Sequence, residues 1–340
     1  MHSSKKIKTF ILQNIAKHRK NIVQEVIGRF GISRQAVNKH MNRLISENKV
    51  MAYGVTKGRY YELVPEVNYN KTINFDKTKD PELIFNKFIK PQIQILKSNL
   101  YEIFQFSICA LLTNIQDYSN ARTVYFKLFI SHKKVHFIIS DNGIGIFEDI
   151  KNKQNLYNER LAALELAKGS ISSEPQNRSG EELKLICNLF DTITIDSSGQ
   201  SLSFNKKNEK WLINDSLQSK GTRIHLTIDT FTKRTCKEVF ERYFSSENSK
   251  VRIPVNLADI SQQNIVNSKS YVSYVLRNIN NYNKVEFDFS QVNLIGPTFA
   301  NELVRKTRES NLFAEIEWVN TNKTINLIMS NALASQARIA

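Results

Sequence analysis

The sequence predicts a multidomain α+β protein built from three parts. At 340 residues the chain exceeds the ~100–200 residues of one ordinary domain. Its positive charge is concentrated in the first 64 residues, where apolar residues recur at helical spacing. Further on, β-branched and aromatic runs alternate with helical stretches. The expected layout is a helical head with a hairpin over 1–65 and a linker with a lead-in helix over 66–98. An α/β sandwich core over 99–230 and a small α/β tail over 231–340 follow.

Composition narrows the function classes. Apolar residues make up 41% of the chain and charged residues 24%, the balance of a soluble protein with ordinary cores. No apolar run approaches the ~20 residues that span a bilayer, so no membrane partner is expected. Met1-His2-Ser3-Ser4-Lys5-Lys6-Ile7-Lys8 has no apolar run of secretory-leader type, and a cytoplasmic location is expected. Cys109, Cys187 and Cys236 are far apart and in apolar contexts, as reduced core residues are; no metal spacing is present. The formal charge is +16. Residues 1–64 hold thirteen Lys and Arg against Glu25, Glu47 and Glu62, a net +10. A Lys/Asn-rich background accounts for a general excess but not for this concentration, which points to a polyanion.

In the head, Ile7, Phe10, Ile11 and Ile15 keep helical spacing, and Ile22 to Phe30 forms a second short helix. Gly31 breaks the chain, Ser33 is a good N-cap, and a third helix runs from about Arg34 to Glu47. Lys49 to Tyr53 and Arg59 to Leu63 are two short strands around a basic turn, Gly54-Val55-Thr56-Lys57-Gly58. This order resembles a winged helix-turn-helix domain. Arg34, Gln35, Asn38, Lys39, Asn42 and Arg43 fall on the outer side of the third helix. Arg, Gln and Asn read base edges, whereas Lys and Arg neutralise phosphate. Lys57 and Arg59 would meet backbone or minor groove. Double-stranded DNA is the expected partner; a protein-docking use of the same head is the alternative.

Residues 69–81 are polar and aperiodic and read as an interdomain connection. Asp80-Pro81 suits a helix start, with the helix expected to reach about Ser98.

The core is organised around Ser140-Asp141-Asn142-Gly143-Ile144-Gly145-Ile146, which ends the apolar run Val135-His136-Phe137-Ile138-Ile139. A carboxylate at a strand end is followed by two glycines that let backbone approach a ligand. Asn-Gly is also an ordinary hairpin turn. Upstream, Asn114 and Asp117 share one face near a helix end. Downstream, Lys220-Gly221-Thr222 opens an alternating strand. Helices are expected over 99–118, 156–168 and 181–190, with strands at 123–130, 134–140, 192–196, 201–205, 210–214 and 222–229.

This triple order resembles the GHKL nucleotide-binding fold of DNA gyrase B subunits, sensor histidine kinases and anti-sigma-factor kinases. The resemblance implies an adenine-nucleotide site, ATP or ADP with Mg²⁺. Asp141 would bond the adenine amino group, with Thr222 in support through water and Gly143 and Gly145 shaping the turn. Asn114, in an N box with Asp117, would hold Mg²⁺ on the phosphates. A helix-end amide at Asn114 and a turn-capping carboxylate at Asp141 are the alternatives.

Two departures limit what the resemblance implies. Its hydrolytic branch has a glutamate general base where this chain has Ala110, and general-base catalysis is worth about 10²–10⁴-fold. The phosphate-binding Gly-x-Gly-Leu-Gly-Leu pattern is replaced by Gly180-Glu181-Glu182-Leu183-Lys184-Leu185. Glu181 and Glu182 would repel a triphosphate; Lys184 or Arg178 would compensate in part. The site then either grips the phosphates differently or is a retired scaffold, and efficient ATP turnover is not expected.

In the tail, a helix over 237–244 precedes a strand over 250–255. Phe287-Asp288-Phe289-Ser290-Gln291-Val292, with Ile295-Gly296-Pro297-Thr298-Phe299-Ala300-Asn301-Glu302, resembles the STAS-like domain often fused behind GHKL modules. Anti-anti-sigma relatives carry a phosphorylatable serine near the place of Thr298; a plain helix-start hydroxyl is the other reading. The resulting expectation is a bacterial DNA-binding transcriptional regulator tuned by adenine nucleotide, forming a homodimer on paired half-sites. The alternatives are an ATPase or serine/threonine kinase of the anti-sigma class, and a protein-interaction switch acting through the tail.

Overall fold

The computed structural model describes residues 4–55, 59–169, 179–244, 250–258, 264–277, 279, 282–309 and 314–337. It is a mixed α/β chain of several sheets. The chain divides into two compact units: one holds 1–71, 125–138 and 227–233, the other 72–124, 139–226 and 234–340.

The first unit begins with α1 (Ser4–Asn14), α2 (Ile22–Phe30) and α3 (Arg34–Ser46), then the antiparallel pair β1 (Val50–Tyr53) and β2 (Tyr60–Leu63). Ile7, Ile11, Ile15, Val26, Val37, Met41 and Leu44 close one core, and Val50 and Tyr61 of the hairpin join it. Gly31 takes φ 62° and its N–H returns to the Ile27 carbonyl, ending α2. The Ser33 hydroxyl accepts from the Ala36 N–H and starts α3. Gly28 sits inside α2 with open space where a Cβ would stand. Gly28→Ala is therefore expected to stabilise the head by about 0.5–1 kcal/mol, read as a raised urea midpoint.

β3 (Val67–Asn74) follows, then α4 (Pro81–Ile84), a π-helical turn over Phe85–Ile89, α5 (Lys90–Ile93) and α6 (Ser98–Asn114). The segment read as an aperiodic connection thus contains a strand. β3 is an outer strand of its sheet, with most of its residues exposed or half-buried, so it lacks an apolar signature. The lead-in helix is not continuous either: Pro91 lies in it and α6 starts afresh at Ser98.

A second π-helical turn, Ile115–Ser119, prolongs α6. Then come β4 (Thr123–Ile130), β5 (Lys134–Asp141), α7 (Ile146–Gln154), α8 (Glu159–Lys168) and α9 (Ser179–Leu189). β6 (Thr192–Ser197), β7 (Gln200–Asn205), β8 (Lys210–Asp215) and β9 (Thr222–Asp229) complete the stretch. Seven strands form one sheet in the order β3-β4-β5-β9-β6-β7-β8. Alternation in β4 and β5 buries Val124, Phe126, Leu128, Val135, Phe137 and Ile139 on one face.

The last stretch contains α10 (Cys236–Phe244), β10 (Lys250–Pro254), β11 (Ile265–Val266), α11 (Ser270–Leu276) and β12 (Lys284–Asp288). β13 (Leu294–Ile295), α12 (Pro297–Glu309), β14 (Glu315–Val319) and α13 (Lys323–Ala337) end it. β10, β12 and β14 run parallel with β12 central. Helix α8 packs on β10 and on the turn after it. Its Lys168 is fully buried, 2.9 Å from Glu165 and bonded to the carbonyls of Tyr274 and Arg277 at the end of α11. A lysine from one helix thus supplies donors that the C-terminus of another lacks.

Candidate functional site

The second unit brings three of the singled-out motifs together. Asp141 ends β5 and is 6% exposed. Its Oδ1 accepts from the Gly143 N–H at 2.8 Å and its Oδ2 from the Thr222 N–H at 3.2 Å. Burial pushes the carboxyl up, against the pull of these backbone donors. Thr222 is buried too, and its Oγ1 accepts from the Ile146 N–H at 2.9 Å. A Cβ on Gly221 would stand 2.1 Å from the Asp141 carbonyl oxygen. Glycine is required there for the start of β9 to approach the end of β5.

The turn after Asp141 closes on the turn after Asn114. The Ile144 N–H donates to the Ser119 carbonyl at 2.7 Å, and a Cβ on Gly143 would stand 1.9 Å from that oxygen. Gly143 therefore serves an approach to protein backbone. Gly145 has φ 100° and precedes α7; a Cβ there would meet the Ser197 hydroxyl at 2.6 Å. Asn142 accepts from the N–H groups of Arg122 and Thr123, each at 2.9 Å. The bonding roles of Ser119, Asn142 and Ser197 escaped sequence reasoning. Ser119 acts through its carbonyl, which any residue carries, Ser197 sits among unremarkable polar neighbours, and Asn142, inside the Asp141 motif, reads there only as half of an Asn-Gly turn.

Asn114 is half-buried at the end of α6, and Asp117 is exposed on the π-helical turn. Such turns are frequent at functional sites. Burial, and then the Asp117 charge, push the Glu182 carboxyl up. The end of α6 and the start of α9 thus form an acidic neighbourhood. Gly180 lies in the first turn of α9; Arg178 and the Glu181 side chain lie outside the described residues. Ala110 is buried. Lys184, read as a compensating cation, has its ammonium 5.2 Å from the centre of the Tyr282 ring and 5.6 Å from that of Tyr243. Its alkyl stem runs over Gly169, where a Cβ would stand 2.9 Å from Lys184 Cδ. That placement turns the cation toward the two aromatic rings.

Chemically, the Asp141 turn offers a buried acceptor aimed by two N–H groups, each oxygen keeping a further lone pair. It can accept from a polar donor. Among the described residues no group of three His, Cys, Asp or Glu side chains is placed to hold a metal ion.

In the first unit, α3 buries Val37, Met41 and Leu44 and exposes Arg34, Gln35, Asn38, Lys39, Asn42 and Arg43. Arg43 Nε reaches Glu47 at 3.1 Å. The Lys8 ammonium, joined by Lys49, holds the Glu47 carboxyl down to about 2. Arg59 is exposed, with its guanidinium 5.3 Å from the Tyr61 ring centre. Tyr53 and Tyr60 stack across the hairpin at 5.1 Å. Lys57 lies outside the described residues.

Residues 273–326 match a family model described as a STAS-like domain of unknown function (DUF4325). The matched stretch covers α11 to α13 in part, with Thr298 exposed at the start of α12. No curated protein matches the chain. Among the described residues no helix is long and apolar enough to cross a membrane.

Proposed function

We propose that this chain, with its STAS-like tail, is a DNA-binding regulator whose core carries a degenerate GHKL-type adenine-nucleotide site. The observation that carries the reading is α3 of the head. Six residues able to contact bases or phosphates are exposed together, while the apolar residues of the same helix are buried. The head would act as a winged helix-turn-helix, with α3 in the major groove and Arg59 near the backbone. The net +10 of residues 1–64 supplies the sequence-independent part of the affinity.

Nucleotide enters as a second, regulatory ligand. The buried Asp141 carboxylate, aimed by Gly143 and Thr222, suits an exocyclic amino donor. Mg²⁺ would ride on the phosphates with the Asn114 amide oxygen as a ligand, keeping several waters. Lys184 is turned to the rings of Tyr243 and Tyr282, and the Glu182 carboxyl stands at the start of α9. Both features favour weak phosphate binding, and alanine at position 110 cannot serve as a general base. Binding without efficient turnover follows. The tail would contribute a protein partner, and a homodimer would match paired half-sites.

The test is fluorescence anisotropy with duplex DNA across a salt series. Binding should weaken steeply with salt, and Lys39→Ala should lower the slope of log K against log salt by about 1. Duplex binding that is absent, or indifferent to salt, refutes the DNA reading. Calorimetric titration with ADP and Mg²⁺ tests the core separately: heat in the native chain should vanish in Asp141→Asn.

A further inference from the structure

Three side chains tie the STAS-like tail to the helices on either side of residues 170–178. The Tyr282 hydroxyl donates to the Lys168 carbonyl at 3.0 Å, at the end of α8. The Tyr282 ring receives the Lys184 ammonium, which belongs to α9. Lys168 in turn reaches the carbonyls at the end of α11, and Arg277 donates to the Gln154 carbonyl at 3.1 Å. Tyr282 thus holds both α8 and α9. Helix α9 also packs on α6, the helix that leads to Asn114 and Asp117. The next turn of chain, at Ser119, bonds the loop that follows Asp141.

We propose that the tail is a positioning element for the core: docked through Tyr282, it fixes α9 against α6 and so sets the shape of the Asp141 turn's surroundings. A ligand of the Asp141 turn and the docked tail then favour one another, and by linkage each strengthens the other equally. Anything that competes for the docked tail loosens the site from a distance. The contacts form a continuous path from Tyr282 through Lys184 and α9 to α6 and Ser119. The ligand half of the proposal rests on the nucleotide reading above; the positioning half does not.

Hydrogen–deuterium exchange on the full chain tests the positioning half. Lys184→Met keeps the stem over Gly169 and the Tyr282 hydroxyl bond, and removes only the cation over the rings. Exchange in α9 and in residues 114–119 should rise about 5–30-fold, with the head unchanged. Tyr282→Phe keeps the ring and removes the hydroxyl, and should speed exchange at the end of α8 while sparing the Lys184 contact. Unchanged α9 exchange in Lys184→Met overturns the proposal.

ADP titration of the same proteins tests the ligand half. ADP affinity should fall by a similar factor in Lys184→Met. Equal affinity in the native chain and the variant, with faster α9 exchange, overturns the coupling. No ADP heat in the native chain, with faster α9 exchange, refutes the nucleotide reading and leaves the positioning role supported.

Discussion

Lys168→Ala is expected to destabilise the second unit by about 3–5 kcal/mol, the usual cost of breaking a buried ion pair from one side. The substitution removes the ammonium that faces Glu165 and the donor shared by the Tyr274 and Arg277 carbonyls. Both side chains of the pair are almost wholly removed from solvent, so water cannot replace the lost partner. Urea unfolding followed by a probe in α11 reads the effect. Lys168→Met with Glu165→Leu should recover much of it, because a matched apolar pair carries no charge to desolvate. Equal losses in the single and double variants would show that the carbonyl contacts at α11 dominate.

Gly221→Ala should be strongly damaging at the Asp141 turn. Gly221 has φ 68°, which costs an L-residue roughly 1–2 kcal/mol, and its Cβ would overlap the Asp141 backbone oxygen. Displacing that backbone adds about 1–3 kcal/mol. Gly199 supplies the control: its φ is 78° but open space surrounds its Cβ position. Gly199→Ala should therefore show the conformational cost alone. The difference between the two urea midpoints measures the close approach of β9 to β5. A Gly221→Ala loss no larger than that of Gly199→Ala would rule out a tight approach.

Much of the fold was legible because its elements carry strong period and capping signals. Val37, Met41 and Leu44 mark the buried side of α3, and Gly31 with Ser33 marks the break before it. The alternation in β4 and β5 is equally plain. β3 was hidden for a physical reason: an outer strand needs few apolar residues, and Asn68, Asn70, Lys71 and Thr72 are all exposed. Helix α7 was absorbed into the glycine turn it follows, since Phe147 and Ile150 are its only buried residues. Around Asp141, the neighbours Gly143 and Thr222 were legible as residue types. Their N–H groups, and the Ser119 carbonyl, are backbone atoms whose position no side chain announces. Lys184 was legible as a cation, but its aromatic neighbours, Tyr243 and Tyr282, lie far along the chain and no local pattern announces them.

The place of β9 in the seven-stranded sheet bears on how the protein is made. β9 lies between β5 and β6, although β6, β7 and β8 precede it in the chain. The Asp141–Thr222 bond spans 81 residues. A ribosome adding ~5–20 residues per second needs about 4–16 s to make that stretch. During that interval β5 has emerged with one edge open, while β6, β7 and β8 can already pair among themselves. The nascent chain thus carries an exposed strand edge until β9 arrives to fill the gap. Slowing translation across 200–222 should raise the yield of aggregated product, and speeding it should lower it.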